Sequence, residues 1–224
     1  MKKFVFITFI PGSAGHFISN CLNLLTGFHA WVEKSTGTMP VDTMEKLKVL
    51  GYESVLNFNK TSKTQVSWHN DVEGKLAYYA EYRQHDDIGK NDVGVSIAHL
   101  YSTHMSNRKS MLTADDVFFD FFIDPTELLD WTLANLIHKN THAVRSDHVQ
   151  FTKECLDQFY NDCSNIDNLI AINLKNIITG WDTFFIEFEN MCNIIGYTIL
   201  PIEKTALKIL YNQWKTTTVE SYPI

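Results

Sequence analysis

Four short apolar, β-branched runs constrain this chain most, because each lies too far from the next for a hairpin. They are Lys3–Phe9, Val93–Leu100, Val117–Ile123 and Leu169–Leu174. Lys3–Phe9 and Val117–Ile123 are nearly continuous in apolar residues rather than alternating, which is how strands covered on both faces read. Stretches with helical periodicity lie between and after them, at His16–Leu25, Asp42–Leu50, Thr126–Lys139, Phe151–Cys163, Trp181–Ile195 and from Pro201 to about Lys215. Strands joined through long helical crossovers pair in parallel. The expectation is a single α/β domain over residues 1–224, a central parallel sheet with flanking helices. Residues 29–91 form a poorly patterned insertion, with a short strand at Val66–His69 and a helix at Gly74–Gln84 as its best candidates.

Charge narrows the function. The net charge of −7 argues against a general nucleic-acid-binding surface, which needs clustered Lys and Arg. It leaves room for a local pocket that takes one small anion. The four cysteines, Cys21, Cys155, Cys163 and Cys192, form no Cys-x-x-Cys pair, which points to a reducing, cytoplasmic setting. The apolar run after Lys2-Lys3 is broken by Pro11-Gly12 and lacks a small-residue cleavage site, so it reads as a strand and not as a signal peptide. No stretch reaches the roughly eighteen apolar residues of a membrane span. No membrane association is expected.

The chemistry concentrates at Ile10-Pro11-Gly12-Ser13-Ala14-Gly15-His16-Phe17-Ile18-Ser19. A strand that runs through a glycine-rich turn into a helix exposes the unpaired amides of the first helical turn, at the positive end of the helix dipole. Gly12 and Gly15 allow the positive φ values and close approaches that an anion nest uses. A tight turn with glycines kept for packing alone is the competing reading. Three named motifs fail on spacing. A Walker A loop needs Lys where His16 stands, a dinucleotide fingerprint needs a third glycine, and a nucleophile elbow needs Gly where Pro11 stands.

Taken in order along the chain, these elements resemble the sulfotransferase family. Residues 11–17 are similar to its 5′-phosphosulfate loop, Ala98-His99-Leu100 to its Thr-His-Leu, and Val117–Ile123 with Asp124-Pro125 to its strand ending Arg-[Asn/Asp]-Pro. Leu174-Lys175-Asn176-Ile177, the helix end at Gly196-Tyr197, and Asn212-Gln213-Trp214-Lys215 echo later family segments. The resemblance implies a P-loop-like sulfotransferase fold with 3′-phosphoadenosine 5′-phosphosulfate as donor. The acceptor would be a hydroxyl or amine of a small molecule or carbohydrate. It implies His99 as catalytic base, at an unperturbed pKa near 6.5 suited to neutral pH. Gly12, Ser13, Ala14, Gly15, His16 and Phe17 would hold the donor, with the Ser13 and Ser19 hydroxyls as extra donors and His16 or Lys215 as the source of positive charge.

The chain departs from the family at three places. Gly12 stands for the loop lysine, Ile123 for the arginine that grips the 3′-phosphate, and Trp131 for a serine eight residues further on. A catalytically degenerate anion- or partner-binding protein of the same fold, or a divergent nucleotide kinase, therefore stays open beside the transferase. A bulky residue at Gly15 is expected to abolish anion binding and leave the fold largely intact. His138 and His142, four apart, could ligate zinc on one helix face, but they read as a solvated helix end and no metal is expected.

Overall fold

The computed structural model describes residues 3–10, 12–26, 41–52, 93–99, 117–139 and 169–219, together with part of 150–161. Strands β1 (Lys3–Phe9), β2 (Val93–His99), β3 (Val117–Asp124) and β4 (Leu169–Asn173) form one sheet in the order β2-β1-β3-β4. All three pairings are parallel. Lys3 lies opposite Val93 on one side and Val117 on the other, Phe9 lies opposite His99, and Asp124 lies opposite Asn173. The helices are α1 (Gly15–Thr26), α2 (Val41–Val49), α3 (Leu129–Lys139), α4 (Leu174–Thr179), α5 (Trp181–Ile194) and α6 (Pro201–Trp214). A 3₁₀ turn at Thr126–Leu128 precedes α3, and a π-helical segment, Lys215–Val219, follows α6. The described positions of 150–161 are helical, while the candidate strand at 66–69 and helix at 74–84 lie outside the described residues.

The continuous apolar runs are explained by burial on both faces of the sheet. Val5, Ile7, Phe9, Phe121, Ile123 and Ile172 join one large core with residues of α1 and α4 to α6. Ile10, Phe122 and Leu156 make a smaller cluster, with Leu129 and Leu169 packed against it. Thr8 and Asp120 are buried too, and the Thr8 hydroxyl donates to Asp120 Oδ1 at 3.0 Å, so these polar groups are not left unpaired by burial. No helix among the described residues is long and apolar enough to cross a membrane.

Element ends follow residue chemistry. Gly51 closes α2 at φ +85°, as its place after Leu50 predicts. Helix α5 ends in a Schellman motif: Tyr197 N–H donates to Cys192 C=O at 2.8 Å, Gly196 N–H to Asn193 C=O at 3.0 Å, and Gly196 takes φ +75°. The sequence reading carried β4 through Leu174. Instead the Asn173 side chain caps the next turn, accepting from Lys175 N–H at 2.9 Å, and Leu174 opens the short helix α4.

One buried polar network ties the far end of α1 to α6. The Tyr197 hydroxyl lies 2.7 Å from Glu203 Oε1 and 2.9 Å from Leu25 C=O, and Leu200 N–H donates to Glu203 Oε2 at 2.8 Å. Burial, reinforced by the bond to Glu203, pushes the Tyr197 phenol well above its ordinary range. Removing the hydroxyl with Tyr197→Phe takes away the one proton that these two acceptors share and should cost about 1–3 kcal/mol, read as a lowered midpoint in thermal melts.

The core also encloses Tyr211, whose hydroxyl has no hydrogen-bond partner among the described residues and whose phenol burial pushes up to about 12. The folded value exceeds the ordinary 10, so the folded state holds this proton more tightly than the unfolded chain does. That contribution is complete below pH 10 and is lost as pH climbs towards about 12. Melting midpoints should therefore fall across that window. The fall should be shallower for Tyr211→Phe, which should also gain about 1 kcal/mol at neutral pH because this buried, unpaired hydroxyl is removed.

Candidate functional site

The strand order locates the site before any side chain is considered. From β1 the chain crosses to β2 on one side, and its next crossover leads to β3 on the other. Helix α1 contributes to the large core, whereas Leu156, in the β3-to-β4 connection, packs with Ile10 and Phe122. Connections that leave adjacent strands towards opposite faces open a crevice at their carboxyl ends, here beyond β1 and β3. The loop singled out by the sequence lies at this edge.

Its conformation is well defined. Ser13 N–H donates to Ile10 C=O at 3.2 Å and Gly12, third in the four-residue turn, sits at φ +92°. Glycine meets such a positive φ without strain. Ala14 follows at φ +64°, a left-handed conformation uncommon for a residue with a Cβ. Ile18 N–H then makes the first α1 bond, to Ala14 C=O at 3.1 Å. The amides of Gly15, His16 and Phe17 precede that bond and fall in the first turn.

Several expected roles change. The Ser13 hydroxyl is not an extra anion donor: it is wholly buried and donates back to Ile10 C=O at 2.6 Å, while its amide closes the turn. The Phe17 ring belongs to the core. It stacks on Trp214 with centroids 4.2 Å apart and planes 8° from parallel, and packs against Phe184 at 5.2 Å, so only its amide can serve a ligand. Lys215 Nζ lies 3.4 Å from the Thr179 carbonyl at the end of α4, where a cation also suits the helix dipole. His99 ends β2 opposite Phe9, one strand spacing from the residue that leads into the loop. The side chains of His16, Ser19, His99, His138 and His142 lie outside the described residues.

Beside the loop, the end of β3 carries residues the sequence reading missed. Asp124 Oδ1 accepts from Thr126 N–H at 2.9 Å and from the hydroxyls of Thr126 and Tyr160. Tyr160 itself packs edge-on against Phe122. Glu127 bonds Lys175 Nζ at 2.8 Å and Asn173 Nδ2 at 2.6 Å, and the Lys175 bond is the main cause holding its carboxyl below the usual range. The signal for the first group was present, since Asp-Pro-Thr is an Asx-turn pattern. Nothing local could pair Asp124 with Tyr160 or Glu127 with Lys175. Among the described residues no group of three or more His, Cys, Asp or Glu side chains could hold a metal ion.

No family model, no curated protein and no solved structure matches this chain.

Gly15 corrects a further expectation. A Cβ built there would lie 2.1 Å from Phe9 Cδ1 and 2.2 Å from Phe9 Cγ, and that ring is itself buried in the core. Substitution therefore strains the fold as well as the loop. Gly15→Ala should destabilise by about 1–3 kcal/mol, and Phe9→Leu in the same chain should recover part of the loss. A double-mutant cycle from denaturant unfolding measures that coupling.

Proposed function

We propose that this chain is a P-loop-like, sulfotransferase-type protein that holds the phosphates of 3′-phosphoadenosine 5′-phosphosulfate at the turn 12–17. It transfers the sulfuryl group to a hydroxyl or amine of a small-molecule or carbohydrate acceptor. The observation that carries this reading is the turn itself. Gly12 at φ +92° and Ala14 at φ +64° bring the chain into α1 with its first-turn amides at the carboxyl end of β1, beside the switch point of a parallel sheet. The register of Phe9 with His99 supports a base on the neighbouring strand.

In the reaction, the acceptor oxygen or nitrogen bonds to sulfur as the bond from sulfur to the 5′-phosphate oxygen breaks. The acceptor proton passes to His99, and 3′-phosphoadenosine 5′-phosphate leaves. Charge spreads over oxygens in the transition state, so positioned amides and the dipole of α1 carry most of the stabilisation. We place this chemistry in a reducing, cytoplasmic compartment. Cys21 and Cys192 support that placement, being buried free thiols that burial pushes well above the ordinary range.

A second reading, an anion-binding protein of the same architecture without turnover, is favoured by one observation. Ile123, which stands for the arginine that grips the 3′-phosphate, is fully buried in the core and brings no charge to that phosphate. Calorimetry with the sulfated donor, 3′-phosphoadenosine 5′-phosphate and ATP separates the possibilities. The transferase reading expects both adenosine 3′-phosphate compounds to bind more tightly than ATP. It also expects His99→Ala to lower transfer by about a hundredfold while donor affinity changes little. Binding with no transfer to any phenol, amine or carbohydrate acceptor selects the second reading, tighter binding of ATP selects a nucleotide kinase, and no binding of any of the three ends all of them.

A further inference from the structure

The lysines of α2, α4 and α6 fall into two groups. Lys46, Lys48 and Lys175 each lie against a carboxylate, those of Asp42, Glu45 and Glu127. Lys204, Lys208 and Lys215 make no ion pair among the described residues, although the whole chain carries a net charge of −7. Each ammonium lies over an aromatic ring instead. Lys204 Nζ is 3.9 Å from the Phe185 centroid, Lys208 Nζ 5.6 Å from that of Trp181, and Lys215 Nζ 6.0 Å from that of Tyr211. With 3.6 residues to a turn, the three fall within about 40° of one another around α6, at intervals of about 6 and 10.5 Å along it. Lys204 and Lys208 are exposed, and Lys215 is half-buried.

Covering a ring suits the lysine stem, which lies on apolar surface while its charge stays in water. It leaves three like charges in a row without a counter-charge beside them. The one acid of α6, Glu203, is buried against the Tyr197 hydroxyl and the Leu200 amide. On α5, Glu187 accepts from Asn173 and Asn176, and the exposed Asp182 and Glu189 pair with none of the three lysines. A ring beneath an ammonium also holds it in place, so less side-chain freedom is lost when a partner arrives.

We propose that the row Lys204, Lys208 and Lys215 is a docking surface for an acidic helix of a partner protein, laid along α6. The spacing selects a helix. One lying beside α6 advances by the same rise of about 1.5 Å per residue, so carboxylates at i, i+4 and i+11 meet all three lysines at once. An extended segment would cover the same distances with carboxylates at i, i+2 and i+5. The last of these points away, because side chains alternate along a strand. The surface is independent of the anion loop and of the transfer proposed above.

The test is fluorescence anisotropy of a labelled, alanine-based helical peptide of about 20 residues, titrated with the full chain at low ionic strength. A peptide with glutamates at i, i+4 and i+11 should bind, and its affinity should fall as salt is added. Moving the glutamates to i, i+2 and i+5 keeps the charge, spreads it around the helix, and should weaken binding by about tenfold. Replacing all three lysines, with Lys204→Gln, Lys208→Gln and Lys215→Gln in one chain, should cost about the same factor. Lys46→Gln with Lys48→Gln removes charge from α2 and should change affinity by less than about twofold. The comparison of the two peptides uses the parent chain alone, so it decides the matter even if the triple variant melts early. Equal binding of the two peptides, an equal loss in the α2 variant, or no binding of the patterned peptide overturns the proposal. Tighter binding of a single-stranded oligonucleotide than of the patterned peptide overturns it too, and assigns the row to nucleic acid.

Discussion

The contact between Gly15 and Phe9 sets where everything else can go. Phe9 is the last residue of β1, and its ring lies where the first residue of α1 must pass, leaving no room for a β-carbon. That closeness puts Ile18, Cys21, Leu22 and Leu25 of α1 into the same core as Val5, Ile7 and Phe9. It also forces the turn between them to be short, which is why Gly12 and Ala14 both adopt left-handed conformations. The outward amides of α1 are thus a by-product of tight helix-on-strand packing. Tight packing and the anion site proposed above are therefore not rival explanations of this loop.

The strands were legible because a parallel sheet buried on both faces writes itself as continuous apolar sequence, as Val117–Asp124 does with only Asp120 interrupting before its end. Their parallel pairing was legible from the distance between runs. What the sequence hid was the direction of small polar groups. Ser13 in a glycine-rich turn reads as a ligand donor, yet its hydroxyl satisfies Ile10 beneath it. Asn173 reads as a strand residue, yet its side chain starts a helix. Phe17 reads as one more apolar position of α1, and only the fold brings it to Trp214. In each case the decisive partner is either a backbone carbonyl or a residue far along the chain, and local periodicity carries no information about either.

The departure at Gly12 acquires a physical meaning from the turn. At φ +92° the residue occupies a region that L side chains rarely adopt. A lysine there, as in the family the sequence resembles, would carry backbone strain in this turn as well as charge. Gly12→Lys is therefore no simple restoration of a missing cation. The anion site proposed for this turn would draw its positive charge from backbone amides, from the helix dipole, or from side chains outside the turn.

The bonds that complete α1 also set an order of events in time. Its carboxyl end is held by Tyr197, 172 residues downstream, and α2 is joined to α6 across 170 residues by Thr43 and Gln213. Contacts of such separation are slow to form, because the entropy of closing long loops is lost before the contacts can reward it. During synthesis, the strand, turn and first helix emerge well before the aromatic surface of α5 and α6 that covers them. Until then Phe17, Leu22 and Leu25 remain uncovered on that side, and nascent chains of this protein should be prone to early aggregation and dependent on chaperone holding.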